Sequence, residues 1–376
     1  MKTPSIQLSL AEARQITLQA QGLTSPATNN LSVLQNLGYV QIDTISVIER
    51  AHHHIFWTRN AKYRPHHLDQ LIETRQAFEY WSHAASFLPM KDYCYSLPLK
   101  KYFSERKKNW STAEKRLMKK VLTQIKAEGP LRSTDFDSPA GKKNGWWDWK
   151  PAKVALERLF HCGELEVAKR TGFQKVYDLP ERVIPAATQT TSPTQQEYIR
   201  YLITRTLKHY GFATVPEIAY LQKSPMRTLI AHELRKMIEG GEVVSVEVEG
   251  LKSEKYFAIP ELLEAKTTKK KVLHILSPFD NSVIQRRRLK NIFSFDYQIE
   301  CYVPAKKRNF GYFCLPILYG TKFVGRLDPK ADRHNGKFLI KSLHLEQGVS
   351  QDEVQEPLEK KLEAFAEFNG CELSWR

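Results

Sequence analysis

The sequence lacks the long apolar runs and the cysteine pairs that mark several large classes of protein. No apolar run approaches the roughly 18 residues that a membrane-spanning helix needs, so we expect no membrane association. The first residues, MKTPSIQLSLAEARQ, contain no apolar signal-peptide core, which predicts a cytoplasmic protein. The five cysteines are odd in number and none stands in a C-x-x-C pair, which argues against a disulfide framework and a zinc knuckle.

Several sequence signatures of catalysis are absent as well. The sequence contains no glycine-rich phosphate loop, no G-x-S-x-G elbow and no kinase signature. These absences argue against ATP-driven activity and serine-hydrolase chemistry, and we expect no cofactor.

What the chain has in excess is positive charge. Its 57 Lys and Arg residues outnumber 41 Asp and Glu residues, which gives a formal net charge of +16. Such an excess predicts a polyanionic partner, with nucleic acid as the leading candidate. A membrane surface is second, because the sequence shows no long basic amphipathic helix.

The middle of the chain contains an internal repeat. Residues 156–172 (LERLFHCGELEVAKRTG) align with residues 234–250 (LRKMIEGGEVVSVEVEG) without a gap. Each copy predicts a glycine-capped helix followed by two short strands. Two further helical stretches precede it, TAEKRLMKKVLTQIKAE and RSTDF in the first copy and TQQEYIRYLITRTLKHY and VPEIAYL in the second. Three helices and a two-stranded wing form a winged helix, whose third helix can enter the DNA major groove. Winged helices also serve as protein-interaction modules, but the net charge favours DNA.

We predict an α+β fold of tandem winged-helix modules followed by a small antiparallel β-barrel or sheet and a terminal helix. The proposed boundaries are 1–105 for an N-terminal, less regular winged-helix-like module, 106–190 and 191–265 for two winged helices, and 266–376 for the C-terminal domain. The N-terminal module is predicted to have a helix at 8–20, a second at 30–37 that ends at Gly38, and a further helix within 64–78, with a long polar connection at 39–60. Five segments with alternating apolar residues are candidate strands of the last domain, with a hairpin turn at Tyr319-Gly320: VLHIL, YQIECYV, GYFCLPILYG, TKFVGRLD and KFLIKSLHLE.

The terminal helix has its own signals. Ser350 and Glu353 fit a capping box, and Gly370 fits the C-terminal cap. Between them, one apolar stripe runs along the helix through Val354, Leu358, Leu362 and Phe365.

The stretch YVQIDTISVIERAHHHIFWTR, at 39–59, holds the candidate catalytic groups. Gln41 and Asp43 are two residues apart, so on an extended segment both side chains project to the same face. Together they can fix a water molecule, with Asp43 accepting its proton and Gln41 orienting it. In the structural alternative, Asp43 caps the following turn and Gln41 is exposed.

Further candidates surround this pair in the sequence. Arg50, His52 and His53 are candidates for contacting DNA or supporting the catalytic groups. Consecutive histidines cannot easily face one ion, so we predict no metal site. Trp81 and His83, in YWSHAASFLP, repeat the mixture of aromatic and histidine.

Basic clusters beside aromatics suit contact with phosphates and stacking on bases. They comprise Lys142, Lys143, Trp146, Trp147, Trp149 and Lys150; Arg286, Arg287, Arg288 and Lys290; and Lys306, Lys307 and Arg308.

Read together, these motifs resemble the AlkZ/YcaQ-type DNA glycosylases, a bacterial winged-helix family that acts on alkylated bases and unhooks interstrand crosslinks. The resemblance covers nearly the whole chain and is sharpest at 39–59, 79–90 and 278–333. It implies a C-shaped body around DNA, built from tandem winged helices with a C-terminal β-barrel. It also implies that Gln41 and Asp43 position and activate the attacking water.

The Gln-apolar-Asp motif matches the YcaQ-like branch rather than the Gln-apolar-Gln pattern. The resemblance therefore implies a broad set of N7-alkylguanine adducts, including crosslinks. We expect a monomer bound to double-stranded DNA, and a monofunctional enzyme, because no lysine stands out as a Schiff-base former. The alternatives are a winged-helix transcription regulator without catalysis, which would bind specific sites and ignore alkylation, and a structural interaction protein.

Overall fold

The computed structural model describes residues 5–136, 151–222, 224–251, 253–264 and 271–375. The chain forms two compact units. The first comprises Met1–Arg64, Ser82–Ser86 and Ile199–Arg376, and the second comprises Pro65–Trp81 and Phe87–Tyr198. The four predicted modules stay a prediction. Across the described residues, no helix has the length and apolarity to span a membrane.

The helices and strands are numbered in chain order. The helices are α1 Leu10–Ala20, α2 Asn30–Leu37, α3 Ala51–Arg59, α4 His66–Glu73, α5 Leu97–Glu105, α6 Thr112–Glu128, α7 Pro151–His161, α8 Pro180–Val183, α9 Gln195–Tyr210, α10 Val215–Ile218, α11 Ser224–Glu239, α12 Asn281–Ile284, α13 Arg286–Phe293 and α14 Gln351–Phe368. The strands are β1 Ile6–Leu8, β2 Val40–Gln41, β3 Ala77–Trp81, β4 Ala85–Pro89, β5 Leu131–Arg132, β6 Glu166–Thr171, β7 Gln174–Asp178, β8 Phe212–Thr214, β9 Val244–Val248, β10 Tyr256–Ala258, β11 Leu273–Ile275, β12 Leu315–Tyr319, β13 Lys322–Asp332, β14 Lys337–Leu345 and β15 Glu372–Trp375.

The second unit contains the first copy of the repeat. Helix α6 begins at a capping box formed by Ser111 and Glu114 and packs against α7 through an apolar face that buries Val121 and Ile125. Strands β5, β7 and β6 form one sheet in that order, with β6 and β7 as an antiparallel hairpin. The predicted helix at RSTDF is wrong, because the chain there leaves β5 and enters a turn. The cluster of lysines and tryptophans at 142–150 lies outside the described residues.

The first unit contains the second copy. Its elements follow the same sequence of helix, strand, helix and hairpin, and its strands are ordered β1, β9, β10, β8. In both copies the strand after the first helix pairs with the last strand of the hairpin. Strand β1 extends the second sheet by pairing in parallel with β9.

The N-terminal region confirms two predicted helices and corrects its connection. Helix α1 starts at a capping box formed by Ser9 and Glu12, and α2 ends at Gly38. The segment 39–60 is not a polar connection, because it contains β2 and the largely buried helix α3. The further helix predicted within 64–78 is α4, and β3 follows it.

The C-terminal sheet has the order β11, β12, β13, β14, β15. Its first four strands are antiparallel as predicted, but β15 runs parallel to β14 because α14 carries the chain back across the sheet. Gly320, at φ 59°, makes the predicted hairpin turn between β12 and β13. The segment YQIECYV is not a strand but part of a loop. Within this loop Arg308 donates to the carbonyl of Glu300, and the Glu300 carboxylate accepts from the N–H of Asn309.

The apolar stripe predicted along α14 is confirmed, because its residues are buried. Gly370, predicted as the C-terminal cap, follows the helix in the left-handed conformation. Its capping box is wrong, because Ser350 makes no side-chain cap bond and Glu353 pairs with Lys271 instead.

A buried ion pair ties the N-terminal helices to the C-terminal half of the first unit. Arg59, the last residue of α3, donates to both carboxylate oxygens of Asp280 at 2.7 and 3.0 Å. The Asp280 side chain is fully buried, and Arg59 also donates to the carbonyl of Gln21 at 2.7 Å. Burial works against the Asp280 charge, but Arg59 and Ser282 outweigh it and lower the pKa of this carboxyl. The pair therefore fixes α3 against the loop that leads into α12.

We predict that Asp280→Asn lowers the free energy of unfolding by about 3–5 kcal/mol, because it leaves the buried Arg59 guanidinium without a compensating charge. Urea unfolding at neutral pH measures this change. Glu356→Gln removes a charge from the exposed pair with Lys360 and is the control, expected to leave the midpoint almost unchanged. Equal effects of the two substitutions would contradict the role given to the buried pair.

Candidate active site

The backbone that leads into Gln41 is held from two sides. Gly38 ends α2 in the left-handed conformation, at φ 69°, and a Cβ there would lie 2.3 Å from His209 Nε2. Only glycine fits this turn. The side-chain amide of Asn281 donates to the carbonyls of Leu37 and Tyr39 at 3.4 and 3.2 Å. Asn281, the residue after Asp280, thus fixes the turn before β2.

Gln41 is buried, with 9% of its surface exposed, and its amide is bound by a histidine. Its Oε1 lies 3.0 Å from His83 Nε2. Burial and the nearby Arg205 lower the pKa of His83 to about 4, so its ring is neutral at physiological pH. An amide oxygen only accepts hydrogen bonds, hence His83 Nε2 carries the proton and donates it. This bond fixes the amide with its NH₂ group as the remaining donor.

Asp43 is a half-buried carboxylate without a countercharge. Its Oδ1 accepts from the backbone N–H of Ile45 at 2.8 Å. Burial is the largest influence on its pKa and raises it above the ordinary value, while bonds from Ile45 and Thr44 act in the opposite direction. In the described part of the chain, no cationic side chain forms an ion pair with Asp43. A poorly solvated, uncompensated carboxylate is suited to accept a proton or to face a cation.

The structural alternative for this pair is half right. Asp43 does cap the turn after it, yet one carboxylate can cap a turn and still act on a substrate. Gln41, in contrast, is not exposed. The N–H of Ile42, between them, donates to the carbonyl of Ala85 at 2.8 Å and continues the pairing that starts at β2.

Two residues that sequence analysis missed lie within the electrostatic field of Asp43. Burial first, and then the charge of Asp43, raises the pKa of the Cys301 thiol. Burial first, then Cys301 and then the charge of Asp43 raise the pKa of the Tyr302 phenol. Both residues lie in the segment that was predicted as a strand, so no sequence pattern indicated this loop.

Helix α3 spreads the three histidines apart. His54 is fully buried, with Nε2 2.9 Å from the carbonyl of Ile275, and burial lowers its pKa to about 4. His53 Nδ1 lies 2.7 Å from the hydroxyl of Tyr63, and His52 is 3% exposed. Successive helical residues point about 100° apart. No group of three or more potential metal ligands occurs among the described residues. The burial of His52 favours a role in the fold.

Arg50 stands at the N-terminal boundary of α3 and is partly exposed. Its backbone N–H donates to the Glu49 carboxylate at 2.9 Å, and the N–H of Glu49 donates to Asn369 at 2.6 Å. These bonds fix the start of α3 and leave contact of Arg50 with DNA as a prediction.

Trp81 belongs to the second unit, at the end of β3. It is 45% exposed, and its ring meets the edge of His161 at a centroid distance of 6.0 Å. Its exposure argues against a purely structural role, and its contact with DNA stays a prediction.

The three consecutive arginines of α13 differ in their surroundings. Arg286 lies over the ring of Tyr297 at 4.6 Å and donates to a backbone carbonyl at 2.7 Å. Arg288 is 4% exposed and pairs with Glu217 at 3.1 Å. Their contacts favour a structural role over DNA binding. Arg287 is exposed and pairs with Glu254, so it is the arginine of this cluster that a phosphate can reach.

Comparisons with known proteins identify the family and the fold. The family model described as "DNA glycosylase AlkZ-like" matches residues 34–368. The structure is similar to that of Streptomyces sahachiroi DNA glycosylase AlkZ, with a TM-score of 0.66 and 18% identity over 99% of this chain and 100% of that one. At this identity the likeness shows a common α+β fold.

The matched region includes Gln41, Asp43, His83 and strands β11 to β14 of the C-terminal sheet. The chain belongs to the AlkZ-like family of DNA glycosylases.

We predict that Asp43→Asn leaves the free energy of unfolding at neutral pH unchanged or raises it. Burial raises the folded-state pKa of Asp43, so any stability that the protonated group contributes is present below its unfolded-state pKa and is lost as pH rises through the folded-state value. Asparagine keeps the oxygen that caps Ile45. Urea unfolding at pH 4 and pH 7 measures the difference.

Asp280→Asn is the matched control with the opposite sign, because the pKa of Asp280 is lowered in the folded state. A loss of stability at pH 7 as large for Asp43→Asn as for Asp280→Asn would show that Asp43 is mainly a structural residue.

Proposed function

We propose that this DNA glycosylase removes N7-alkylated purines from double-stranded DNA and unhooks interstrand crosslinks, with Gln41 and Asp43 as its catalytic pair. One observation carries the proposal. An unpaired, half-buried carboxylate with a raised pKa stands two residues from an amide that a neutral histidine orients.

The chemistry of the substrate suits a site with one carboxylate. Alkylation at N7 makes the purine cationic, so it leaves as a neutral base when the electrons of the bond between N9 and C1′ pass to the ring. No general acid is needed, in contrast to O-glycoside hydrolysis. The charge of Asp43 stabilises the oxocarbenium-like sugar, and its raised pKa makes it a better base. The water oxygen bonds to C1′, its proton passes to Asp43, and the Gln41 amide donates to that oxygen.

Half-exposure of Asp43 supports the extension to crosslinks. A base tethered to the opposite strand cannot be flipped fully into a closed pocket. A carboxylate that solvent reaches can activate a water against the sugar of such a nucleotide without complete extrusion of the base. The Gln-apolar-Asp motif, with its ionisable second member, supports a broader range of adducts than a motif with two amides.

The two copies of the repeat support the proposed mode of DNA binding. We propose that both are winged helices and that α7 and α11, the helices that precede their hairpins, lie toward the DNA. The net charge of +16 supports backbone contacts, in which Arg50 and Arg287 are candidates to hold phosphates. We propose a monomeric, monofunctional enzyme whose product is an abasic site, since neither catalytic side chain can form a Schiff base.

We predict that the wild type releases N7-methylguanine from a duplex and that Asp43→Asn slows single-turnover release at least about a hundredfold, the range of general-base catalysis. Asp69→Asn is the control, because burial also raises the pKa of that carboxyl, on α4 of the second unit. Its activity should equal that of the wild type. Base release is measured by chromatography, and cleavage at abasic sites is measured on a gel.

Release of base by Asp43→Asn at the wild-type rate would remove Asp43 from the mechanism. DNA binding without base release by the wild type, on this lesion and on a mustard crosslink, would contradict the proposed substrates. Trapping of a covalent product by borohydride would contradict monofunctionality. The wild-type rate should fall at acidic pH with an apparent pKa above that of an ordinary aspartate, since Asp43 must be ionised to act.

We predict that His83→Ala lowers the single-turnover rate about tenfold, equivalent to one hydrogen bond of about 1.4 kcal/mol to the Gln41 amide, while DNA affinity changes little. His83→Gln supplies an amide donor in place of the imidazole and should recover most of the rate. Loss of affinity with an unchanged rate would instead show that His83 binds DNA directly.

A further inference from the structure

The loop 300–311, which carries Tyr302 near Asp43, is built as a rigid platform. The Glu300 carboxylate accepts from the backbone N–H groups of Asn309 and Phe310 at 2.8 Å and of Gly311 at 3.1 Å. From the opposite end of the loop, Arg308 Nε lies 3.2 and 2.9 Å from the carbonyls of Glu300 and Val303. Two buried or partly buried charges thus close the loop on itself.

Strand β13 holds this loop and the backbone that follows Asp43. The Asp328 carboxylate accepts from the N–H groups of Tyr312 and Phe313, both at 3.0 Å, which anchors the end of the loop. Three residues further along the strand, the N–H of Ala331 donates to the carbonyl of Val47 at 2.9 Å. Three residues of a strand span about 10 Å. The loop and the segment of Asp43 are therefore fixed to neighbouring points of one strand.

At the tip of this platform Tyr302 stands out into solvent. It is 76% exposed, it takes no part in the bonds of Glu300 and Arg308 that close the loop, and its hydroxyl is hydrogen-bonded to the adjacent Cys301. Its neighbours Lys306 and Lys307 are exposed cations, suited to the phosphates of a nucleic acid.

The Tyr302 ring and the Asp43 carboxylate both favour a positively charged group. An aromatic face attracts a cation through its quadrupole, and a carboxylate attracts it through its charge. Bases of every kind stack on an aromatic ring, but a purine that carries positive charge gains the additional attraction. Neutral guanine does not.

We propose that Tyr302 is a specificity residue that stacks on the cationic alkylpurine and distinguishes it from the neutral base. This inference rests on the proposed function, because it assigns a recognition role at the same site. Tyr302 acts through its ring, while Asp43 faces the sugar.

The test measures binding and needs no catalysis. The probes are two duplexes of one sequence, one with N7-methylguanine on a 2′-fluoro sugar, which blocks base release, and one with unmodified guanine on the same sugar. Affinities of wild type, Tyr302→Ala and Tyr302→Phe are measured by fluorescence anisotropy. Because Tyr302 is exposed, the variants are expected to melt at the wild-type temperature, and thermal unfolding checks this.

We predict that Tyr302→Ala lowers the preference for the methylated duplex, the ratio of the two dissociation constants, about tenfold, as expected for loss of one stacked ring. Tyr302→Phe keeps the ring and should retain the preference within about twofold. Tyr102→Ala, at a 40% exposed tyrosine of the second unit, is the matched control and should not change it.

Other outcomes overturn the inference in distinguishable ways. An unchanged ratio in Tyr302→Ala would show that Tyr302 does not recognise the lesion, and the proposed function would stand. Weaker binding of both duplexes by the same factor would make Tyr302 a general DNA contact. Absence of any preference in the wild type would contradict the proposed substrate class itself.

Discussion

The buried pair of Arg59 and Asp280 is the constraint on which the first unit depends. Both charges lie out of water, and they are tolerated because two hydrogen bonds join them and further bonds to Gln21 and Ser282 satisfy their other atoms. The next residue, Asn281, holds the backbone before β2. One short segment thereby connects the C-terminal half of this unit with the helix end at Arg59 and with the strand that carries Gln41.

The candidate site shows the opposite treatment of charge. Asp280 is buried with a partner and its pKa is lowered, whereas Asp43 is half-buried without one and its pKa is raised. The fold thus stabilises the ionised form of Asp280, which holds α3 in place. It leaves the ionised form of Asp43 poorly stabilised at a position that solvent reaches. His83 follows the same pattern, because its burial keeps the imidazole neutral and preserves a single, directed donor for Gln41.

The sequence predicted those elements whose signals are local. Gly38 ended α2, the apolar stripe of α14 was buried, and Gly320 made its turn, since backbone conformation and helical periodicity act over a few residues. Where the prediction was wrong, contacts that no local sequence pattern reveals determined the structure. Helix α3 is buried among aromatic residues of α14, including Phe365. The polar residues in the sequence of α3 did not indicate this burial. The alternation in YQIECYV predicted a strand, but Glu300 and Arg308 bind their own loop.

Loop 300–311 is held in shape by its own residues, so its backbone conformation does not depend on the side chains at its tip. Its framework uses the side chains of Glu300 and Arg308 and backbone groups, while the side chains at its tip take no part in closing it. Substitutions at the tip can therefore accumulate without disturbing β13 or β2. In evolutionary terms, the tip is free to diverge among relatives while the strand that carries Gln41 stays fixed, and under the proposed function the same tip is a place to randomise when the range of adducts is to be redirected.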